Sequence, residues 1–260
     1  MTELKQSFDN VADEYDKYRD GYDAELIADI KKISGLKKDA ALCEIGAGTG
    51  QASLQFVSDA SQLVCIEPGS NLADKLRSNL SSFDAVTVQN VTFEEAKVEP
   101  SSFDLVFAAQ SFHWVDPEVG YIKVAEILKL GGWFAAFWKR SIPTVAEGES
   151  RETKLYQEYF PEYSPMTPQE YEEASVSDLA GLVASKLFSL CQLRRYLAPE
   201  TEEFRTPEER ADSLRTWSSI AALERPIQDE LIRRLTDIFR EETPKKTQYE
   251  TTLIIGQKRG

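Results

Sequence analysis

Three glycines at alternate positions, Gly46, Gly48 and Gly50, follow an acid, Glu44, and an apolar run, Ala40 to Cys43. The run reads as a buried strand and Gln51 to Val57 as a helix, so the chain turns from strand to helix through glycine. Such a turn lets the main chain approach a ligand closely, because glycine has no Cβ in the way. Unpaired N–H groups at the helix start can bind an anion. A second apolar run, Leu63 to Ile66, ends in Glu67. A carboxylate at a strand tip about 20 residues past the glycines is placed to accept both hydroxyls of a ribose. The group as a whole suits a nucleoside with an anionic tail. A tight strand-to-helix turn without a ligand is the other reading of the same glycines.

A second constellation starts at Phe103-Asp104 and the continuous apolar run Leu105 to Ala109, the pattern of a parallel strand buried on both faces. Gln110, Ser111, His113 and Trp114 follow it, where ligands of open α/β sheets bind beyond the carboxyl ends of the strands. His113 is the only histidine. With an unperturbed pKa near 6.5, an imidazole can take a proton at neutral pH, which makes His113 the candidate general base. The bland alternative is that His113 and Trp114 pack the turn. Beyond the next strand stand Trp138, Lys139 and Arg140, two cations on the same rim as His113. They suit an anionic ligand, or are ordinary surface charges.

The spacing of the glycines decides between nucleosides. A dinucleotide fingerprint needs glycine at position 51, where Gln51 stands. The order Glu44-x-Gly46-x-Gly48-x-Gly50 followed by Glu67 instead resembles the class I methyltransferases that use S-adenosylmethionine. The resemblance implies that Glu44, Gly46, Gly48 and Gly50 form the cofactor motif and that Glu67 holds the cofactor ribose. Tyr15 to Tyr22 resembles a segment of a small-molecule branch, the trans-aconitate type, in which aromatic and arginine side chains close over the cofactor. By that resemblance Tyr18 and Arg19 are cofactor ligands, Arg19 at its carboxylate, although Asp20 and Asp23 stand where that branch often has prolines. Thr92 and Phe93 fall in the loop beside the adenine, and Gln110 joins the cofactor set. Trp114, Trp138, Lys139, Arg140 and Trp217 are the implied acceptor-binding residues. The implied reaction is in-line methyl transfer to a small molecule, at a carboxylate or hydroxyl oxygen, without a metal. A protein or RNA methyltransferase, a nicotinamide-dependent or flavin oxidoreductase, and a binding module without catalysis are the competing readings.

The rest of the chain must position these groups. At 260 residues, 42% apolar and 28% charged, it can bury one sizeable core. A net charge of −14 opposes general affinity for nucleic acid or anionic membrane. Cys43, Cys65 and Cys191 lack metal-ligand spacing and read as reduced core thiols. With no apolar run of signal or membrane length, a cytoplasmic protein is expected. Phe8, Val11, Ala12 and Tyr15 share one helical face, and Ala24 to Ile33 is a helix stopped by Ser34-Gly35. A helix over 71–79, a strand over 85–88, a helix from Pro117 to Leu130 stopped by Gly131-Gly132, and a strand over 133–138 complete five strands alternating with helices. That alternation predicts a doubly wound, Rossmann-like α/β sheet. Proline- and tyrosine-rich residues 141–185 read as irregular helical elaboration across the strand ends. A sixth strand over 187–197, helices over 208–223 and 227–239, and a last strand over 249–256 follow. The resemblance makes the sheet seven-stranded, mostly parallel, with that last strand antiparallel, plus a helical cap. The expected organisation is a single domain, with a cap over 1–35, a cofactor core over 36–140, a cap insertion over 141–185 and a closing part over 186–260. Residues 1–22 and 141–185 are expected to form a lid.

Overall fold

The structure, a computed structural model of the chain, describes residues 8–143, 150–198, 201–202, 206–242 and 246–260. A 3₁₀ turn, Phe8–Val11, leads into α1 (Ala12–Tyr18) and α2 (Ala24–Ser34). The first parallel unit is β1 (Ala40–Ile45), α3 (Ser53–Phe56), β2 (Ala60–Ile66), α4 (Ser70–Asn79) and β3 (Val86–Gln89). Then come β4 (Phe103–Ala109), α5 (Pro117–Ile127), β5 (Leu128–Ser141), α6 (Arg151–Tyr159), α7 (Pro168–Ala184) and β6 (Phe188–Leu197). The last elements are α8 (Pro207–Ser213), α9 (Ser218–Ala221), α10 (Arg225–Glu241) and β7 (Tyr249–Lys258). A two-residue ladder joins 201–202 to 246–247.

Seven strands form one sheet in the order β3-β2-β1-β4-β5-β7-β6, and β7 runs antiparallel to both its neighbours. The expected seven-stranded Rossmann-like sheet is therefore present. Its strand order reverses between β1 and β4, which places the crevice at their tips. Apolar residues alternate between the two faces. Leu42, Leu63, Leu105 and Phe137 pack under α2 and α3 on one face, while Cys43, Val64, Val106 and Trp138 pack with Val124 of α5 and Leu182 of α7 on the other. A third cluster joins α6 to α8, α9 and α10 through Tyr156, Leu214, Ile220, Leu231 and Leu235. Each of those large side chains contributes about 1.5–3 kcal/mol by its burial. Among the described residues no helix is long and apolar enough to cross a membrane.

Four local expectations change. The helix expected to reach Leu130 ends at Ile127, because Leu128 is buried and pairs with Phe103 of β4. Gly131, at φ 74°, then serves an irregularity inside β5, and that strand runs on to Ser141. After the glycine loop α3 is a single turn, so an anion at this place meets loop N–H groups rather than a long helix start. The expected 208–223 helix is split by a 3₁₀ turn, Leu214–Thr216, and by the extended Trp217. Hydroxyls of Ser213 and Thr216 bond to the carbonyls of Arg210 and Ser213 there, at 2.8 and 2.7 Å, a local pairing that bends helices. In place of irregular structure, 151–184 holds two regular helices, and α7 starts in a capping box of Thr167 and Glu170. Rather than crossing the strand tips, α7 lies along β6 and β7, with the Tyr171 hydroxyl donating to Glu250 at 2.9 Å. Residues 1–7 and 144–149 of the expected lid lie outside the described residues.

Candidate functional site

A cleft of about 720 Å³, open solvent included, lies at the tips of β1, β2 and β4. Its walls include Phe8, Tyr15, Gly46, Gly48, Glu67, Thr92 and Phe93, with Gln110, Ser111 and Trp114 from the segment after β4.

The glycine loop is held by main chain. Gly46 and Ala47 donate to the carbonyl of Ile66 at 2.8 and 3.1 Å, so the loop crosses directly over the end of β2. Gly46 has φ +66°, and a Cβ there would meet the Ser111 Cβ at 2.5 Å. Gly48 has φ +57° and faces the Tyr15 ring, whose nearest atom would stand 3.2 Å from a Cβ. Neither position admits a larger residue without displacement, because the left-handed region is strained for side-chain-bearing residues. The Ser111 hydroxyl donates to the Ile45 carbonyl, which ties the β4 loop to the β1 loop.

Glu67 is buried, and its two carboxylate oxygens accept from Gly48 N and Gly69 N, both at 2.8 Å. Burial raises its pKa to about 7, while those two N–H groups act against the rise. A carboxylate has about four lone-pair sites, so it retains acceptor capacity toward a diol. Glu44 is also buried, but it does not line the cleft. It accepts from Ser53 beneath the loop, and burial lifts its pKa to about 8. Gly50 likewise stands away from the cleft wall, against Leu76.

The N-terminal segment spans the molecule. Asp9 accepts from the main-chain N–H groups of Asn71 and Leu72, at 2.5 and 3.2 Å, and so caps α4, whose own N-cap is the side-chain-free Gly69. Such a cap is worth about 1 kcal/mol. Asp13 pairs with Lys75 at 2.7 Å, and Asp16 accepts from Asn79 at 2.8 Å. Toward the helical cluster, Glu14 pairs with Arg225, Tyr18 donates to Asp212, and Arg19 donates to the Thr216 carbonyl at 2.8 Å. Tyr18 and Arg19 are thus turned toward the cap and do not line the cleft. The Arg19 guanidinium lies 5.4 Å from the Tyr15 ring centre, and its Nε is buried with no partner among the described residues.

At the β4 side, Gln110 has φ +58° and bonds Tyr22 through its side chain. Trp138 donates its indole N–H to His113 Nδ1 at 3.1 Å. An indole nitrogen only donates, so this bond fixes Nδ1 as acceptor and leaves the proton on Nε2. Desolvation by the surrounding walls and the Arg140 charge lower the His113 pKa to about 4, although the residue is solvent-exposed. In this arrangement the imidazole is neutral and offers a donor, with no free lone pair for the expected base role. The His113 ring lies 4.8 Å from that of Trp114, which lines the cleft. Arg140 is on the same sheet face as Trp138, at 5.5 Å from its ring. Lys139 points to the opposite face, 5.0 Å above the Tyr249 ring, so the two cations do not share a rim pocket. Trp217 is removed from the cleft too, stacked on Tyr156 at 5.8 Å.

The structure thus brings together Gly46, Gly48, Glu67, Thr92, Phe93, Gln110 and Trp114 around one cleft, with His113, Trp138 and Arg140 behind Trp114. It adds Phe8, Tyr15 and Ser111. Tyr15 and Ser111 lie inside stretches that the sequence singled out, while Phe8 carried only the signal of a helix face. The fit to a nucleoside with an anionic tail holds on these grounds: a Cβ-free cradle at Gly46 and Gly48, a buried carboxylate with spare lone pairs, and an apolar slot between Ile66, Leu72 and Phe93.

Residues 43–136 match the model of a family described as a methyltransferase domain. An uncharacterized methyltransferase of Mycobacterium tuberculosis is 29% identical over 136 residues, 52% of this chain and 53% of that protein. An uncharacterized methyltransferase-like protein of Schizosaccharomyces pombe is 26% identical over 144 residues, 55% of each. The chain therefore spans about half the length of the curated relatives it matches. Among solved structures, the YcgJ protein of Bacillus subtilis superposes with a TM-score of 0.56 at 14% identity, over 90% of this chain and 98% of that one. A phosphoethanolamine N-methyltransferase of Haemonchus contortus, held with phosphomonomethylethanolamine and S-adenosylhomocysteine, gives 0.56 at 16% identity, over 97% and 58%. At such identities the superpositions speak for the fold.

Proposed function

Because this chain belongs to the class I S-adenosylmethionine-dependent methyltransferases, we propose that it methylates an oxygen of a small-molecule acceptor, a carboxylate or a hydroxyl. The observation that carries the cofactor half is Glu67, buried at the tip of β2 and held by the N–H groups of Gly48 and Gly69. Glu67 receives the ribose hydroxyls, the Gly46–Gly48 main chain lies along the cofactor tail, and Thr92 and Phe93 flank the base. The cofactor supplies an electrophilic methyl group. What this chain supplies is alignment and exclusion of water, and alignment of two reactants is worth about 7–11 kcal/mol. Tyr15 closes the Gly48 side, and Trp114 stands between the cofactor cleft and His113.

On the acceptor side His113 donates from Nε2 and orients the acceptor, while Trp138 fixes its tautomer. The net charge of −14 disfavours RNA as acceptor. Gln51 in place of a third fingerprint glycine disfavours a dinucleotide.

Calorimetry with S-adenosylhomocysteine and with NAD, followed by transfer of a labelled methyl group to acids, alcohols and amines, tests the reading. Binding of the homocysteine product, no binding of NAD and label on an oxygen are expected. NAD binding without S-adenosylhomocysteine binding would overturn the cofactor, and label on nitrogen or carbon would overturn the acceptor atom.

A further inference from the structure

Most arginine–carboxylate pairs of this chain are short. Arg195 grips Glu172 with two bonds at 2.6 and 2.5 Å, and Arg234 grips Glu158 at 2.7 and 3.0 Å. Arg140 departs from this. Its Nη2 lies 3.3 Å from Asp178 Oδ2, long for a charge-assisted bond, which is about 2.7–2.9 Å. Its Nη1 is buried and has no partner among the described residues. Arg215 also has a partnerless Nη1, but its other nitrogens hold Asp212 and Asp229 at 2.8 Å each. The carboxylate opposite Arg140 across the sheet, Glu250, is engaged by the Tyr171 hydroxyl at 2.9 Å and lies 3.8 Å from Arg195. Arg140 therefore holds one weak internal counter-ion and one unspent donor.

The surroundings are aromatic, with one further polar donor. The guanidinium lies 5.5 Å from the Trp138 ring, Trp138 holds His113 in the tautomer that presents Nε2–H, and Trp114 connects the group to the cleft. Nε2 has no partner among the described residues. We infer that the cluster of His113, Trp138, Arg140 and Asp178 is a subsite for an oxyanion of the acceptor, a carboxylate or a phosphoryl group, which takes Arg140 from Asp178. The inference rests on the methyltransferase reading and names the substrate class for it. Once Asp178 is displaced, Nη1 and Nη2 form a fork matched to two oxygens, and His113 adds a third donor. Asp178 becomes the specificity element, since a neutral ligand cannot compete with it for the guanidinium. Burial also raises the Asp178 pKa in spite of the adjacent cation, as expected for a poorly compensated pair.

The test is a tryptophan-fluorescence titration of the full chain, saturated with S-adenosylhomocysteine, using succinate, inorganic phosphate and neutral succinamide. A saturable change with succinate or phosphate and none with succinamide is expected, and the stronger of the two identifies the oxyanion. Arg140→Gln should weaken that binding roughly ten- to a hundred-fold, and Asp178→Asn should strengthen it. No saturable response to either oxyanion, an equal response to succinamide, or indifference to Arg140→Gln would overturn the inference. Calorimetry with S-adenosylhomocysteine on the same samples separates the two failures. If the cofactor product binds and the oxyanion does not, only the subsite is lost; if neither binds, the methyltransferase reading fails first. Should Arg140→Gln not fold, Arg140→Lys keeps the charge without the fork. A clear loss then supports the subsite, and unchanged affinity overturns it.

Discussion

At the Glu67 end of the cleft, polar contacts are made by main chain. Gly48 and Gly69 donate their main-chain N–H groups to Glu67, and Gly46 and Ala47 donate theirs to the Ile66 carbonyl. At the Arg140 end they are made by side chains alone, with Trp138 on His113 and Arg140 on Asp178. A surface of main-chain donors recognises a group that never changes, and it fails when the backbone is forced to move. A surface of side chains can be re-specified by single substitutions without disturbing the sheet beneath. In the proposed function, the common cofactor and the variable acceptor map onto these two kinds of construction.

The most damaging way to break this contrast is at Gly46. Gly46→Ala combines a left-handed backbone cost of about 1–2 kcal/mol with overpacking against Ser111 of about 1–3 kcal/mol. Urea unfolding should show a loss of about 2–5 kcal/mol, the sum of those two costs. A loss well under 1 kcal/mol would mean that the two loops part easily.

Glu67→Gln comes next, with S-adenosylhomocysteine affinity falling by about 1.5–3 kcal/mol. This carboxyl also carries a pH signature. Burial holds Glu67 at about 7 and Glu44 at about 8 in the ligand-free protein, above the ordinary 4.5. Folded protein then binds more protons than unfolded protein between those values, so stability falls as pH rises from about 5 toward 8. Ribose hydroxyls donate to the ionised form, so affinity for the cofactor product should rise over the upper part of that window. Calorimetry at pH 6 and pH 8 checks the slope, and Glu67→Gln should remove it. Glu44→Gln, beneath the loop, should flatten the stability profile instead.

His113→Gln sharpens the acceptor end, because glutamine retains a donor while losing the imidazole. Turnover should fall less than about tenfold and show no ionisation near 6.5, whereas a general base would cost about 10²–10⁴. The smallest effect belongs to Lys139→Gln, on the far face above Tyr249. Stability should change by about 0.5–1 kcal/mol at most, with the KM of the acceptor unmoved. A raised KM would bring Lys139 back to the acceptor side.

Much of the Glu67 end was legible in sequence because its information is local: a strand, alternating glycines, a strand, an acid. The Arg140 end was less so. Strand alternation alone assigns Arg140 to the face of Trp138 and Lys139 to the opposite one, but only once β5 is known to continue to Ser141. Asp178 and Asp9 carry no local signal, since each acts on residues 38 and 62 positions away. The tautomer of His113 depends on Trp138, which a linear reading places merely near it. The capping box of Thr167 and Glu170 that starts α7 is a local signal that the reading of 141–185 as irregular passes over, because the prolines of that segment outweigh it there.

The clasp formed by residues 9–19 bears on how the protein is made. These residues are synthesised before their partners, which on α4 follow about sixty positions later, and Arg225 pairs with Glu14 across 211. A nascent chain ending after β5 already holds every strand that touches the glycine loop, while the segment that closes over it still lacks half its anchors. Closing so long a loop costs entropy that local contacts cannot offset in advance. The clasp is therefore fully anchored only after the helix that carries Arg225 has been synthesised, and a stalled or truncated chain would leave it half-held.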